Sequence, residues 1–456
     1  MIKKTQSFER SGFKMALFVI RSKSDLKFSP IINGHIGLMT KFVNDVARAI
    51  STLRNIFPET PLQKNEFLSQ KYSAEIYFKR EDLTPVRSYK IRGAFNFVSS
   101  MLNKITSQTA FVCASAGNHA QGLAFVCQNF QRRAVIFMPV TTPQQKIDKT
   151  RSFGKNYVEI RLTGDTFDQC YDAAQDFVAR GGGIMSPPFD DMRIITGQAS
   201  VIYEVANQWN ETKEPDLIIA PVGGGGLASG ISLFLQEKRW NTTLRFAEPQ
   251  GAPSLYKSLK EQRRIKLEKM DTFVDGAAVA KIGAVNFDLL QQYAPEDVIL
   301  VPENRLCATM TQMLNIEGIV LEPAGALAID ALKSLDRKYL KNRRVLLIIS
   351  GGNFDFERLP EVKERALRFD GLKKYYIFRF PQRPGALRAF LDILGPEDDV
   401  ARFEYLKKSA RNFGSVLIAI ETKHANNFIQ LHKQFMEAGW IYKDITDDQI
   451  LSDFII

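Results

Sequence analysis

Lys90, in the run Ser88-Tyr89-Lys90-Ile91-Arg92-Gly93-Ala94, and four consecutive glycines, Gly223 to Gly226, are two features whose chemistry is complementary. A lysine amine adds to an aldehyde when it is neutral, and desolvation or a nearby cation brings the neutral form within reach of pH 7. An aldehyde cofactor held in this way needs a second attachment, and a phosphate needs an anion cradle. Glycines opening a helix provide one, because a backbone without Cβ atoms can turn its N–H groups onto a phosphate and the helix N-terminus adds a favourable dipole. The tetrad lacks the Gly-x-Gly-x-x-Gly spacing and following acidic residue of a dinucleotide fold. Together Lys90 and Gly223 to Gly226 imply pyridoxal phosphate.

Such groups need a scaffold. From about residue 76 to residue 350, short aliphatic runs alternate with amphipathic helical segments, the habit of a largely parallel sheet covered on both faces. The expected strands are Glu75 to Phe78, Ala110 to Ala114, Ala134 to Met138, Tyr157 to Leu162, Leu217 to Val222, Leu244 to Glu248 and Val345 to Ile349. Ligands of such folds bind at the carboxyl ends of strands. Ser115, Gly223 and Ser350 all fall just past such ends, and the tetrad precedes a helical stretch, Leu227 to Glu237.

A region of different order starts near Lys373, after a charged helix, Glu361 to Arg368. Strand Tyr375 to Phe380, helix Ala386 to Leu394, strands Ala401 to Lys407 and Gly414 to Glu421, and helix Ala425 to Ala438 make a βαββα arrangement, expected to form a small α+β sandwich of ferredoxin-like type. It has no cluster of catalytic residue types. The expected division is therefore a basic N-terminal extension over residues 1–40, disordered, a two-lobed catalytic part over 41–370, and a regulatory or assembly-forming module over 373–456.

Composition excludes several other classes. Apolar residues make up 45% and charged residues 24% of the 456, ordinary for a globular protein, and no apolar run approaches the roughly 20 residues that span a bilayer. Of the net charge of +11, residues 1 to 38 contribute +5, from seven basic and two acidic residues; the remainder is scattered, without the basic stripe of a nucleic-acid groove. The apolar run Met15 to Ile20 is too short for a secretory signal. Cys113, Cys127, Cys170 and Cys307 are widely spaced and read as buried free thiols of a cytoplasmic protein. The four histidines have no metal-ligand spacing.

Four elements now stand together: Ser88 to Ala94, Ser115-Ala116-Gly117-Asn118-His119-Ala120-Gln121-Gly122, Pro221-Val222-Gly223-Gly224-Gly225-Gly226-Leu227, and Ser350-Gly351-Gly352-Asn353. With Lys79 to Pro85, Pro188-Phe189-Asp190-Asp191, Gly197-Gln198 and Glu322-Pro323-Ala324-Gly325-Ala326, their order and spacing resemble the fold-type II pyridoxal-phosphate enzymes, and within them the biosynthetic threonine dehydratases (threonine ammonia-lyases). The resemblance runs from about residue 41 to the C-terminus. It implies that Lys90 bears the cofactor and later removes the substrate Cα proton, that Gly223, Gly224, Gly225, Gly226 and Leu227 hold the phosphate, and that Asn118 bonds the ring oxygen. It further implies that Ser350 contacts the ring nitrogen and that Ser115, Ala116, Gly117 and His119 form the loop receiving the substrate carboxylate. His119 reads as part of that loop's architecture rather than as a base. The acid assisting the departing hydroxyl is, by the same resemblance, the cofactor phosphate.

Two departures refine the comparison. Serine racemases, similar across this region, place a serine where this chain has Ala116, so an acid/base for the second face of Cα is missing here. Their metal site is also degraded: Glu248 is present, but the expected aspartate is replaced near Ser254, and no metal is expected. The module from 373 is similar to the single ACT-like regulatory domain of the shorter biosynthetic threonine dehydratases. That similarity implies conversion of L-threonine to 2-oxobutanoate and ammonia at the head of isoleucine synthesis, feedback control by isoleucine with valine as a further candidate effector, and a homotetramer. A serine-preferring dehydratase of the same fold would share all four motifs. A third reading is an inactive amino-acid sensor, against which the intact Lys90, Asn118, glycine tetrad and Ser350 argue.

Overall fold

The computed structural model describes residues 41–211, 213–406 and 413–448. The extension assigned to residues 1–40 and the last residue of the strand expected to reach Lys407 lie outside these. The described chain opens with helix Lys41–Leu53, whose Phe42, Val43, Val46 and Ile50 recur at helical spacing and are buried together.

The larger sheet has six strands in the spatial order Leu62–Lys64, Glu75–Arg80, Arg344–Ile349, Leu217–Pro221, Thr243–Pro249 and Val298–Val301. All neighbours are parallel except the first pair, which is antiparallel. Because both faces are covered, adjacent residues of one strand enter different cores. Val345, Leu347 and Ile349 pack towards helices Glu303–Glu317 and Pro323–Ala331, while Leu346 and Ile348 pack towards Lys41–Leu53 and Gly226–Lys238. This two-sided burial accounts for the nearly unbroken apolar runs in the sequence. A second, four-stranded parallel sheet orders Val158–Leu162, Ala134–Met138, Phe111–Ala114 and Ile184–Met185. Each of the seven strands expected in this part is present, within two residues at its ends. Three further strands were not anticipated: Leu62–Lys64 and Ile184–Met185 are too short to show periodicity, whereas Val298–Val301 is a short, wholly aliphatic run rich in β-branched residues.

The third sheet is antiparallel, in the order Asp398–Leu406, Phe413–Thr422, Lys373–Pro381 and Ile441–Asp444. Helices Ala386–Leu391 and Asn427–Glu437 supply Phe390, Phe428, Leu431 and Phe435 to a core built on Tyr376, Phe378 and Phe380. Two corrections arise here. The arrangement is βαββαβ rather than βαββα, since Ile441–Asp444 adds an edge strand whose mostly exposed Ile-Tyr-Lys-Asp gives no apolar alternation. The first helix stops at Leu391, not Leu394; Ile393 and Leu394 continue as i→i+3 turns before Gly395-Pro396.

Two charged features join these parts. Arg92, fully buried, donates to Glu81 at 2.6 and 2.8 Å and to Glu204 at 2.7 and 2.9 Å. Lys79 Nζ donates to Glu204 at 2.7 Å and to the Thr60 carbonyl at 2.8 Å, and Arg54 reaches Glu204 from the turn after the first helix. Further along, helix Leu359–Phe369 leads into the third sheet. Its Glu364 accepts from Lys373 Nζ at 2.6 Å and Tyr375 OH at 2.9 Å, while Arg358 and Arg365 lie over the Phe273 ring at 4.6 and 4.4 Å.

Among the described residues no helix is long and apolar enough to cross a membrane. All four cysteines are buried and free, as the sequence implied.

Candidate active site

Lys90 opens helix Lys90–Met101, and its amine is turned inward, donating to the Pro188 carbonyl at 2.9 Å. Burial pushes the amine down to about 8, with Glu322 opposing the shift. A large neutral fraction near pH 8 is the state that adds to a carbonyl carbon.

Phe189, the next residue after that carbonyl, touches the glycine loop. A Cβ on Gly224 would collide with its ring, and Gly226 lies against its backbone carbonyl. Gly225 has φ +97°, a left-handed conformation that favours glycine, and begins helix Gly226–Lys238 as its N-cap. The helix therefore starts at Gly226, one residue earlier than expected, so its first-turn N–H groups, those of Gly226 and Leu227 among them, have no intrahelical carbonyl. The loop is braced from outside: Asn286 Nδ2 donates to the Gly224 carbonyl at 2.9 Å, and a Cβ on Gly223 would lie 2.9 Å from Ala277 Cα. The dipeptide Pro188-Phe189 thus holds the amine and the glycine turn to one pocket. A basic carbonyl-reactive amine facing a cradle that any side chain would fill fits a phosphorylated aldehyde.

Gly276, beside Ala277, leads back to the other lobe: a Cβ there would lie 3.8 Å from Asn118 Nδ2. Asn118 is the first residue of helix Asn118–Asn129, just beyond strand Phe111–Ala114. Its Nδ2 donates to Glu322 at 2.7 Å, and its Oδ1 accepts from Asn353 Nδ2 at 2.6 Å. Ser350 closes the circuit. Its carbonyl accepts from the Tyr89 N–H at 3.1 Å, next to Lys90, and its hydroxyl donates to the Ala324 carbonyl at 3.2 Å.

Ser115, Ala116 and Gly117 form the partly exposed loop between strand and helix; Ser115 Oγ accepts from the Gly117 N–H at 3.2 Å, and a Cβ on Gly117 would meet nothing within 4 Å. This small, open helix entrance can admit an anion. His119 points elsewhere. It is buried and its Nε2 is 2.9 Å from the Ser186 carbonyl, with burial and Lys90 pushing its pKa down to about 4, so the ring is neutral and donates through Nε2. Glu248 is engaged too, accepting from the N–H groups of Leu255 and Tyr256 at 2.7 and 3.0 Å and from Ser254 Oγ at 3.3 Å.

Sequence reasoning assigned no role to Pro188, Phe189, Asn286, Glu322 or Asn353. Asn286 carried no signal, because its work is to brace a loop 62 positions away. Glu322 carried one: a glutamate immediately before a helix-opening proline is a poor N-cap.

Comparison with known proteins agrees with this construction. The model of the family described as pyridoxal-phosphate dependent enzyme matches residues 54–351, and that of the C-terminal regulatory domain of threonine dehydratase matches residues 364–455. The protein named L-threonine dehydratase biosynthetic IlvA of Halalkalibacterium halodurans is 43% identical over 415 residues, 91% of this chain and 99% of its own. Its namesake in Staphylococcus epidermidis is 45% identical over 85% of this chain and 92% of its own. Among solved structures, the processed form of threonine deaminase isoform 2 from Solanum lycopersicum superposes with a TM-score of 0.67 at 35% identity, covering 72% of this chain and 88% of that one.

Proposed function

Since the chain belongs to the pyridoxal-phosphate-dependent enzymes and, within them, to the biosynthetic threonine dehydratases, we propose that it is a cytoplasmic L-threonine ammonia-lyase, releasing 2-oxobutanoate and ammonia. The observation that carries this reading is the Lys90 amine and the glycine turn meeting on Pro188-Phe189. Bound pyridoxal phosphate supplies an aldehyde for Lys90 and an electron-withdrawing ring that stabilises negative charge at the substrate Cα.

The chain's own groups do the rest. Gly223 to Leu227 would hold the phosphate by their N–H groups, Asn118 would bond the ring oxygen, and Ser350 would contact the ring nitrogen. A neutral hydroxyl there would not keep that nitrogen protonated as a carboxylate would, so the ring would withdraw charge from Cα less strongly and loss of the β-hydroxyl would be favoured over other fates. The Ser115 to His119 loop takes the substrate carboxylate at the entrance to helix Asn118–Asn129. Lys90, whose neutral form burial brings within reach of neutral pH, removes the Cα proton. The Cα hydrogen and the β-hydroxyl leave together as the elements of water, giving an enamine that tautomerises to an imine and is hydrolysed to 2-oxobutanoate and ammonia. Ala116 offers only a methyl group beside this loop, so return of a proton to the opposite face has no donor there.

Serine is expected as a secondary substrate, because one methyl group in a pocket discriminates by only about 1–3 kcal/mol. The division at residues 370 to 373 belongs to the same reading: the part from 373 binds isoleucine, with valine as a second candidate, and the enzyme is a homotetramer. Helix Leu359–Phe369 supports communication between the parts, since it holds Lys373 and Tyr375 through Glu364 and Phe273 through two arginines. The decisive assay is threonine turnover with and without isoleucine. Removing residues from 373 onward should abolish inhibition while turnover persists; undiminished inhibition would move the effector site elsewhere, and absence of ammonia release by the full chain would leave the sensor reading.

A further inference from the structure

Glu322 carries a carboxyl group that the fold does not need. It occupies the N-cap of helix Pro323–Ala331, where Ser, Thr, Asp or Asn usually accepts a backbone N–H, yet its side chain caps nothing. Instead Oε1 accepts from Asn118 Nδ2 at 2.7 Å. The residue is 5% exposed. A Cβ on Gly351 would collide with Oε1, so that glycine leaves room for the carboxyl. Asn118 is held in place for this contact: Asn353 Nδ2 donates to its Oδ1, and Lys149 Nζ donates in turn to Asn353 Oδ1.

The charged groups around Glu322 come from several elements. Asp275 raises its proton affinity; Lys146 and Lys149 lower it; Lys90 and Tyr89 feel its charge. Burial dominates and pushes the carboxyl up to about 7. Near neutrality it therefore exists in two states with different consequences. As the neutral acid it accepts one Asn118 hydrogen and leaves the field at Lys90 unchanged. As the carboxylate it grips Asn118 through a charge-assisted bond and stabilises positive charge on the Lys90 nitrogen.

We propose that Glu322 is a proton-holding positioning residue of the lyase reaction, which fixes the Asn118 amide and sets the protonation of the Lys90 nitrogen in the resting holoenzyme. This rests on the reading of Lys90 and Asn118 as cofactor-binding residues. A side chain that merely braced the lobes would act alike at every pH.

The test compares wild-type holoenzyme with Glu322→Gln, which keeps an acceptor opposite Asn118 but cannot ionise, and with Glu322→Asp. In the wild type, the visible absorbance of the Lys90-linked cofactor, without threonine, and kcat/KM for threonine are expected to share a titration near neutrality. kcat/KM falls about tenfold per pH unit on its acid side, as for loss of one essential ionisation. Glu322→Gln should abolish both titrations while cofactor content stays at wild-type level; Glu322→Asp should retain them with a displaced midpoint. Superimposable pH profiles for wild type and Glu322→Gln overturn the proposal. So does a Glu322→Gln protein that loses cofactor or thermal stability with its pH profile intact. A wild-type protein that takes up no pyridoxal phosphate overturns instead the reading of Lys90, which keeps the two failures distinct.

Discussion

Lys90→Ala lowers threonine turnover by about 10⁴-fold or more and removes the visible band of the bound cofactor. Two losses combine in this expectation. A methyl group cannot link to the aldehyde, and it cannot take the Cα proton, a task for which a positioned base contributes about 10²–10⁴-fold on its own. The fold should be little affected, because the amine makes a hydrogen bond to the Pro188 carbonyl and burial already disfavours its charged form. Absorbance after incubation with pyridoxal phosphate, 2-oxobutanoate release and the thermal midpoint read the three effects separately. Turnover retained in the variant would mean that another amine carries the chemistry.

The second large effect falls on stability. Arg92→Met leaves Glu81 and Glu204 buried with their principal cation gone, and breaking a buried pair in this way costs about 3–5 kcal/mol. In the wild type Arg92, with Lys79, holds Glu204 well below the usual carboxylate range despite its burial, so removing Arg92 takes away the main support of a buried charge. Arg92→Met combined with Glu204→Gln should cost less than the two changes summed, since the members share one network. Denaturant unfolding of the four proteins measures this. Simple additivity would show that Arg92 and Glu204 act independently.

Much of this molecule could be read from its sequence, for physical reasons that also explain the omissions. Strands buried on both faces must be largely apolar, and Phe111–Ala114, Ala134–Met138, Leu217–Pro221 and Arg344–Ile349 stood out for that reason. Strand Ile441–Asp444 lies at an open edge, where water satisfies one side and no apolar pattern is required. Lys90, Asn118, the glycine tetrad and Ser350 were legible because each is tied to a strand end or helix start, a local property. What holds them together was not. Pro188 and Phe189 are defined by contacts with Lys90 and Gly224, nearly 100 positions upstream and 35 downstream, and Glu322 meets Asn118 across 204 positions. Pairings at that range leave no periodicity; they exist only once the two lobes face each other. The extra turn residues after Leu391 illustrate the smaller kind of error, a helix end set by i→i+3 bonds ahead of Gly395-Pro396 rather than by composition.

The four thiols have a practical corollary. Each sits in an apolar interior, where desolvation raises its proton affinity: Cys170 to about 11, Cys307 to about 12, and Cys113 and Cys127 well above the usual thiol range. Because the thiolate is the reactive form, the four buried thiols are expected to resist alkylating reagents at neutral pH while the chain stays folded. Labelling then becomes a clock for opening of the chain, with Cys113, Cys127 and Cys170 reporting on the smaller sheet and Cys307 on the larger.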